Sequence, residues 1–116
     1  MRKLLLLLIV IFMCSVLISC QQKEPIYTPG EYIGVGEGHH GPIKVKITTD
    51  EYSILSIEII EEYEMPELAT IVYEKIPNKV IKTNNPDVDV VAGASYTSVG
   101  LINAIKDGLS KAKVSN

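Results

Sequence analysis

The sequence predicts an α+β domain, a small antiparallel meander packed with short helices and closed by a C-terminal amphipathic helix. Two observations carry this. Alternating, β-branched segments fill the stretch from Gly30 to Glu61, and apolar residues at helical spacing take over after Pro66. Beyond an amino-terminal leader roughly 90 residues remain, enough for one small domain and too few for two.

The first strand is read at Glu31 to Gly36, hydrophobic but interrupted by Gly34 and Gly36. In the second, Ile43, Val45 and Ile47 alternate with Lys44, Lys46 and Thr48, the period of a half-buried strand. A turn at Thr49-Asp50-Glu51 leads to a third strand, Ile54 to Glu61, where β-branched residues dominate. Leu68, Ile71, Val72 and Ile76 then fall at helical spacing, and Val80 and Ile81 continue it past Pro77. Because proline fits best in a helix's first turn, two short helices with a break at Ile76-Pro77 are expected. A turn at Asn84 to Asp87, a short strand at Val88 to Val91 and a helix from Ser98 to Lys113 complete the pattern. Val99, Ile102, Ile105, Leu109 and Ala112 would form that last helix's buried face.

The amino terminus has the form of an export signal: Arg2 and Lys3 precede an apolar run from Leu4 that ends in Leu17-Ile18-Ser19-Cys20. That ending resembles a bacterial lipobox. Cleavage before Cys20 would make it the lipid-bearing first residue; the other reading of the same residues is a short uncleaved anchor. On the lipoprotein reading, residues 1–19 are expected to be a signal peptide, 20–29 a lipidated cysteine and polar spacer, and 30–116 the domain; on either reading the domain is expected outside the cytoplasm at a membrane. Loss of residues 1–19 removes Cys14 and leaves Cys20 alone, which excludes a disulfide, a CxxC pair or a thiolate metal site in the mature chain. It also removes Arg2 and Lys3, taking the formal charge from −3 to −5. With no basic cluster, nucleic acid is not expected as a partner.

Chemistry concentrates in two segments. Asp89-Val90-Val91-Ala92-Gly93-Ala94-Ser95-Tyr96-Thr97-Ser98 puts a glycine and several hydroxyls at the start of a helix. The first N–H groups of a helix lack partners and its dipole is positive there, so the segment reads as a phosphate seat. The same residues also read as an ordinary N-cap, for which one hydroxyl suffices. The second segment, Gly34 to Gly41, holds four glycines but lacks the order of a dinucleotide-binding unit or a P-loop. Gly38 and Gly41 either supply positive φ in a turn or let a ligand approach the backbone. His39 and His40 are neighbours, and in an extended stretch their side chains diverge, which disfavours a shared metal site and leaves one of them to line a cofactor pocket. The acidic residues Glu58, Glu61, Glu62, Glu64 and Glu67 read as a solvated rim. No Ser-His-Asp or Cys-His arrangement supports hydrolase chemistry.

Taken in order, these segments resemble the FMN-binding domain family, which includes flavin-carrying subunits of membrane redox complexes. Gly36-Glu37-Gly38-His39-His40-Gly41-Pro42-Ile43 is similar to the first family signature. Glu64-Met65-Pro66 stands in place of a second, usually Glu-Thr-Pro-Gly, and Asp89 to Ser98 with Gly100 is similar to the third, an aspartate-led flavinylation motif. The resemblance spans Gly30 to Lys113 and implies FMN as cofactor. It implies contacts from Gly38, His39, Gly41, Pro42, Glu64, Gly93, Ala94, Tyr96, Thr97 and Ser98, with the phosphate end at Tyr96 to Ser98. It places a phosphoester on Ser95, where the family usually has threonine; Thr97 is the other candidate. Asp89 would belong to the motif read by an FMN transferase that uses FAD and a divalent metal. The implied function is electron transfer from a membrane oxidoreductase. An FMN-dependent reductase with His39, His40 or Glu64 as proton donor, and a flavin-free scaffolding lipoprotein, are the alternatives.

Overall fold

The computed structural model describes residues 1–19 and 24–114. A helix, α1 (Arg2–Ser19), precedes the body and leaves its apolar side chains from Leu4 to Phe12 exposed. Among the described residues no helix is long and apolar enough to cross a membrane. Cys20, the residue expected to carry lipid, lies outside the described residues. Of the expected spacer, Ile26, Tyr27 and Thr28 are tied down. The N–H groups of Ile26 and Tyr27 donate to Glu51 O at 2.8 and 3.0 Å, that of Thr28 to Ala112 O at 2.7 Å, and Tyr27 is buried.

The body is α+β, as its patterning requires. Strands β1 (Gly30–Glu37), β2 (Pro42–Thr49) and β3 (Ile54–Glu61) form an antiparallel sheet in the order β1-β2-β3. One sheet face is covered by α2 (Pro66–Thr83), which packs on β3, and by α3 (Ser95–Ala112), which lies along β1 and β2. The central strand carries the core: Ile43, Val45 and Ile47 are fully buried against Val72, Ile76, Val80, Leu101, Ala104 and Ile105. Lys44 and Lys46, one residue out of phase, pair across the open face with Glu61 and Glu58. The free edge of β1 is closed by side chains of α3, since Val35 N–H donates to Asp107 Oδ2 at 2.9 Å and the Lys111 ammonium donates to Ile33 O. Charged groups on exposed strand edges block pairing with another chain.

Three sequence expectations are corrected. The helix after Pro66 is continuous through Pro77. An internal proline costs about 3 kcal/mol, but Ala69, Val72, Ile76 and Val80 form one buried stripe across it, and each large side chain gains about 1.5–3 kcal/mol on burial. Leu68 and Ile71 lie off that stripe and are exposed. Residues 88–91 form no strand; Val88 and Val91 pack on the core from a loop whose Val91 N–H donates to Ser98 Oγ. Helix α3 starts at Ser95, three residues before the expected Ser98, and Val99 is exposed while Leu101 and Ala104 are buried.

The turn after α2 depends on Asn84, which sits in the left-handed region at φ 53°. Its Oδ1 accepts from Ile54 N–H at 2.9 Å and its Nδ2 donates to Tyr52 O at 2.9 Å, holding the start of β3 to the end of α2. Asn84→Gly keeps the backbone conformation and removes both bonds. Urea unfolding is expected to show a loss of about 1–2 kcal/mol without a change in the slope.

Candidate functional site

The hairpin between β1 and β2 turns at residues 38–41, closed by Gly38 N–H donating to Gly41 O at 2.8 Å. The chain there is a turn, not an extended strand, so His39 and His40 do not diverge. Their ring centroids are 4.4 Å apart and edge to face, and both line one cavity of about 250 Å³. The opposite wall is Gly93, Ala94, Ser95, Tyr96 and Thr97, and the start of α2 adds Met65 and Leu68. His39 stacks on Tyr96 with centroids 5.1 Å apart and planes at 25°.

At the helix end of this cavity, α3 has Ala94 as its N-cap, and no side chain caps it. The first-turn N–H groups of Ser95, Tyr96 and Thr97 therefore remain available to an anion. Gly93 has φ +83° with open space where a Cβ would stand, and Ser95 is exposed with its hydroxyl unpartnered among the described residues. The neighbouring hydroxyls are committed elsewhere. Thr97 Oγ1 is buried and donates to Glu64 Oε1 at 2.9 Å. Ser98, fully buried, donates to Ala94 O at 2.7 Å and accepts from Val91 N–H at 3.0 Å, so it braces the loop and does not face the cavity.

Glu64 departs most from its sequence reading. Instead of standing on a solvated rim it is 5% exposed. Its Oε1 accepts from His39 N–H at 2.6 Å and from Thr97, and its Oε2 accepts from His40 N–H at 2.6 Å. Burial pushes this carboxyl up, but the two backbone donors, the Thr97 hydroxyl and the nearby His40 together outweigh it and leave it below the ordinary value of 4.5. A carboxylate depressed in the folded state stabilises above its unfolded value and loses that contribution as pH falls through the folded one. Thermal midpoints are therefore expected to hold steady down to about pH 5 and to fall below 4.5, and Glu64→Gln should flatten that acid limb.

Gly38 is needed here for space, not for positive φ: a Cβ on it would come within 2.5 Å of Glu64 Oε1 and 2.9 Å of Ile43 Cδ1. Gly41 has positive φ, at +151°, and packs under Tyr63, and Pro42 begins β2; neither lines the cavity. Asp89 lies in a separate groove of about 550 Å³ against α2, with Lys75, Lys79 and Lys82. Met65 and Leu68 were not legible as pocket residues, since helical spacing assigns Leu68 to the core.

An uncapped helix N-terminus with an exposed hydroxyl, walled by two imidazoles, a tyrosine and apolar side chains, offers donors suited to a phosphate-bearing aromatic ligand such as a flavin mononucleotide. Residues 38–110 match the FMN-binding domain family. The chain belongs to that family. FMN is the cofactor of this FMN-binding domain, and its chemistry is redox. A relative, the NADH:acrylate oxidoreductase of Vibrio harveyi, is 34% identical over 92 residues, which cover 78% of this chain. The same stretch is only 9% of the relative, so this FMN-binding domain spans less than a tenth of that protein's length.

Proposed function

We propose that this FMN-binding domain is an extracytoplasmic electron carrier, lipid-anchored through Cys20, with FMN attached to Ser95 by a phosphoester. The observation that carries the reading is the chemistry of the seat. It offers backbone N–H groups and a free hydroxyl, but no lysine or arginine lines the cavity among the described residues, and the Glu64 carboxylate lies just behind it. Helix-terminal N–H groups and their dipole alone stabilise an anion by only about 0.3–1 kcal/mol per interaction. Reversible FMN would be lost by dilution outside a cell, whereas an ester retains it whatever the affinity. In that step Ser95 Oγ bonds to the FMN phosphorus of FAD, the P–O bond to AMP breaks, and the serine proton leaves to a base on the FMN transferase.

Bound FMN supplies one- and two-electron transfer. The protein's part is to hold it: Ser95 and the N–H groups of α3 fix the phosphate, and His39, Tyr96, Met65 and Leu68 offer aromatic and apolar surface. A cavity of about 250 Å³ is below the about 300–1,000 Å³ of pockets that enclose a drug-sized ligand. Much of the flavin would stay accessible to redox partners, which suits a carrier fed by a membrane oxidoreductase. The relative's name links NADH to acrylate, which supports redox work. A reductase acting on its own substrate is the second reading, favoured by the two histidines at the cavity as proton donors.

The test is intact mass and visible absorbance of protein purified from its native host and then denatured. A gain of one FMN less one water, with flavin remaining on the chain, is expected. Release of flavin on denaturation would exclude the ester and move the weight to the reductase reading.

A further inference from the structure

Every wall of the FMN cavity except the start of α2 comes from two segments far apart in sequence, the 38–41 turn and the first turn of α3. Nothing in either segment's own sequence fixes its distance from the other. Besides the direct stack of His39 on Tyr96, the one group hydrogen-bonded to both among the described residues is the Glu64 carboxylate, which takes the N–H groups of His39 and His40 on one side and the Thr97 hydroxyl on the other. We propose that Glu64 is a positioning residue for FMN: its buried carboxylate locks the His39-His40 turn and the Ser95-bearing end of α3 in the one spacing that forms the site.

Three features of the geometry point this way. The carboxylate takes donors from both elements and is not itself among the residues that line the cavity, so Glu64 is placed as an internal link. Gly38 is required for it, because any side chain there would displace Oε1. Its own backbone is held as well: Glu64 N–H donates to Glu62 Oε2 at 2.9 Å, and that same oxygen accepts from Tyr73 OH at 2.9 Å on α2. The carboxylate is thus anchored to α2 while it ties the other two elements together. The ionisable groups around it are His39 and His40 from the turn, and Glu62 and Tyr73 on the α2 side. Loss of its charge would leave three donors competing for weaker acceptors and would loosen both walls at once.

Glutamine is the informative substitution. It keeps the size, but one acceptor becomes an NH₂ group directed at a backbone N–H. Aspartate keeps the charge and both acceptors on a shorter stem. The inference rests on FMN occupying this cavity, and two measurements on the full chain separate the failures. In the flavin-free protein, amide NMR of His39 and His40 reads the link without any cofactor. Both resonances should shift strongly in Glu64→Gln and should titrate in the wild type with a midpoint below 4.5. With FMN transferase and FAD, the rate of flavin attachment to Glu64→Gln should fall on the order of 10–100-fold, the scale of a misplaced reacting group, with substantial recovery in Glu64→Asp. The attached flavin in Glu64→Gln should also show a higher midpoint potential, because a negative charge that opposes reduction has gone. If Glu64→Gln misfolds, Gly38→Ala, which displaces Oε1 from the other side, should reproduce the slowed attachment.

Folded Glu64→Gln with unshifted amides, or with wild-type attachment rate and potential, overturns the proposal, as does Glu64→Asp as impaired as Glu64→Gln. A wild type that acquires no flavin on Ser95, yet shows the amide shifts, overturns the proposed attachment and leaves Glu64 a structural link only.

Discussion

Ser95→Ala is expected to yield a folded chain that carries no flavin after denaturation. Ser95 opens α3, is exposed and makes no hydrogen bond among the described residues, so removing its oxygen breaks no internal contact, and alanine is the better helix former. Stability should change by no more than about 0.5 kcal/mol, as for other surface positions. The effect on attachment should be all or none, because a phosphoester needs the oxygen. Thr97→Ala is the matching control. Thr97 is 5% exposed and its hydroxyl donates to Glu64, so the variant should lose about 1 kcal/mol of stability and still acquire its ester, though more slowly because one bond of the Glu64 link has gone. Intact mass and in-gel fluorescence of the two denatured variants read the difference. Flavin retained on denatured Ser95→Ala, or lost only in Thr97→Ala, would move the acceptor to Thr97.

Gly36→Ala is expected to be strongly destabilising. Gly34 and Gly36 are buried on the face of β1 that α3 covers, opposite Gly100, Ala104 and Gly108. A Cβ on Gly36 would overlap the Gly100 carbonyl oxygen and stand 2.6 Å from Ala104 N and 3.2 Å from Ala104 Cα. These are backbone atoms on both sides, so no rotamer change relieves the overlap and the helix must lift from the strand. Overpacking costs about 1–3 kcal/mol where side chains can adjust, and about 3 kcal/mol or more is expected where they cannot. For a domain of this size that lowers the thermal midpoint by roughly 10–20 °C. Gly93→Ala meets nothing within 4 Å and carries only the strain of positive φ, about 1–2 kcal/mol. Equal losses for the two variants would refute the close-packing account.

The glycine pattern shows how far residues can be read without a fold. Gly34 and Gly36 were legible as an interruption of a strand, but a turn or a ligand was the available explanation. The helix they admit lies more than 60 positions away, and its own small residues give no sign of which strand they face. The hydroxyl cluster behaves similarly. Its place at a helix start was legible, but which hydroxyl remains free was not, because Thr97 and Ser98 are claimed by Glu64, Val91 and Ala94 only once the loop closes.

Local patterning set the three strands, through the period-2 alternation of Ile43, Val45 and Ile47, the α+β order, and the positions of the signatures that mark an FMN-binding domain. These are local properties: side-chain period, turn chemistry and motif spacing act over a few residues. Long-range packing settles that α2 runs through Pro77, that residues 88–91 form no strand among the described residues, and that Glu64 is buried. Each of those outcomes depends on partners supplied from elsewhere, a continuous core stripe for the helix and donors 25 and 33 residues away for the carboxylate. Burial free energy is settled by what the rest of the chain brings to a position, and no local pattern records it.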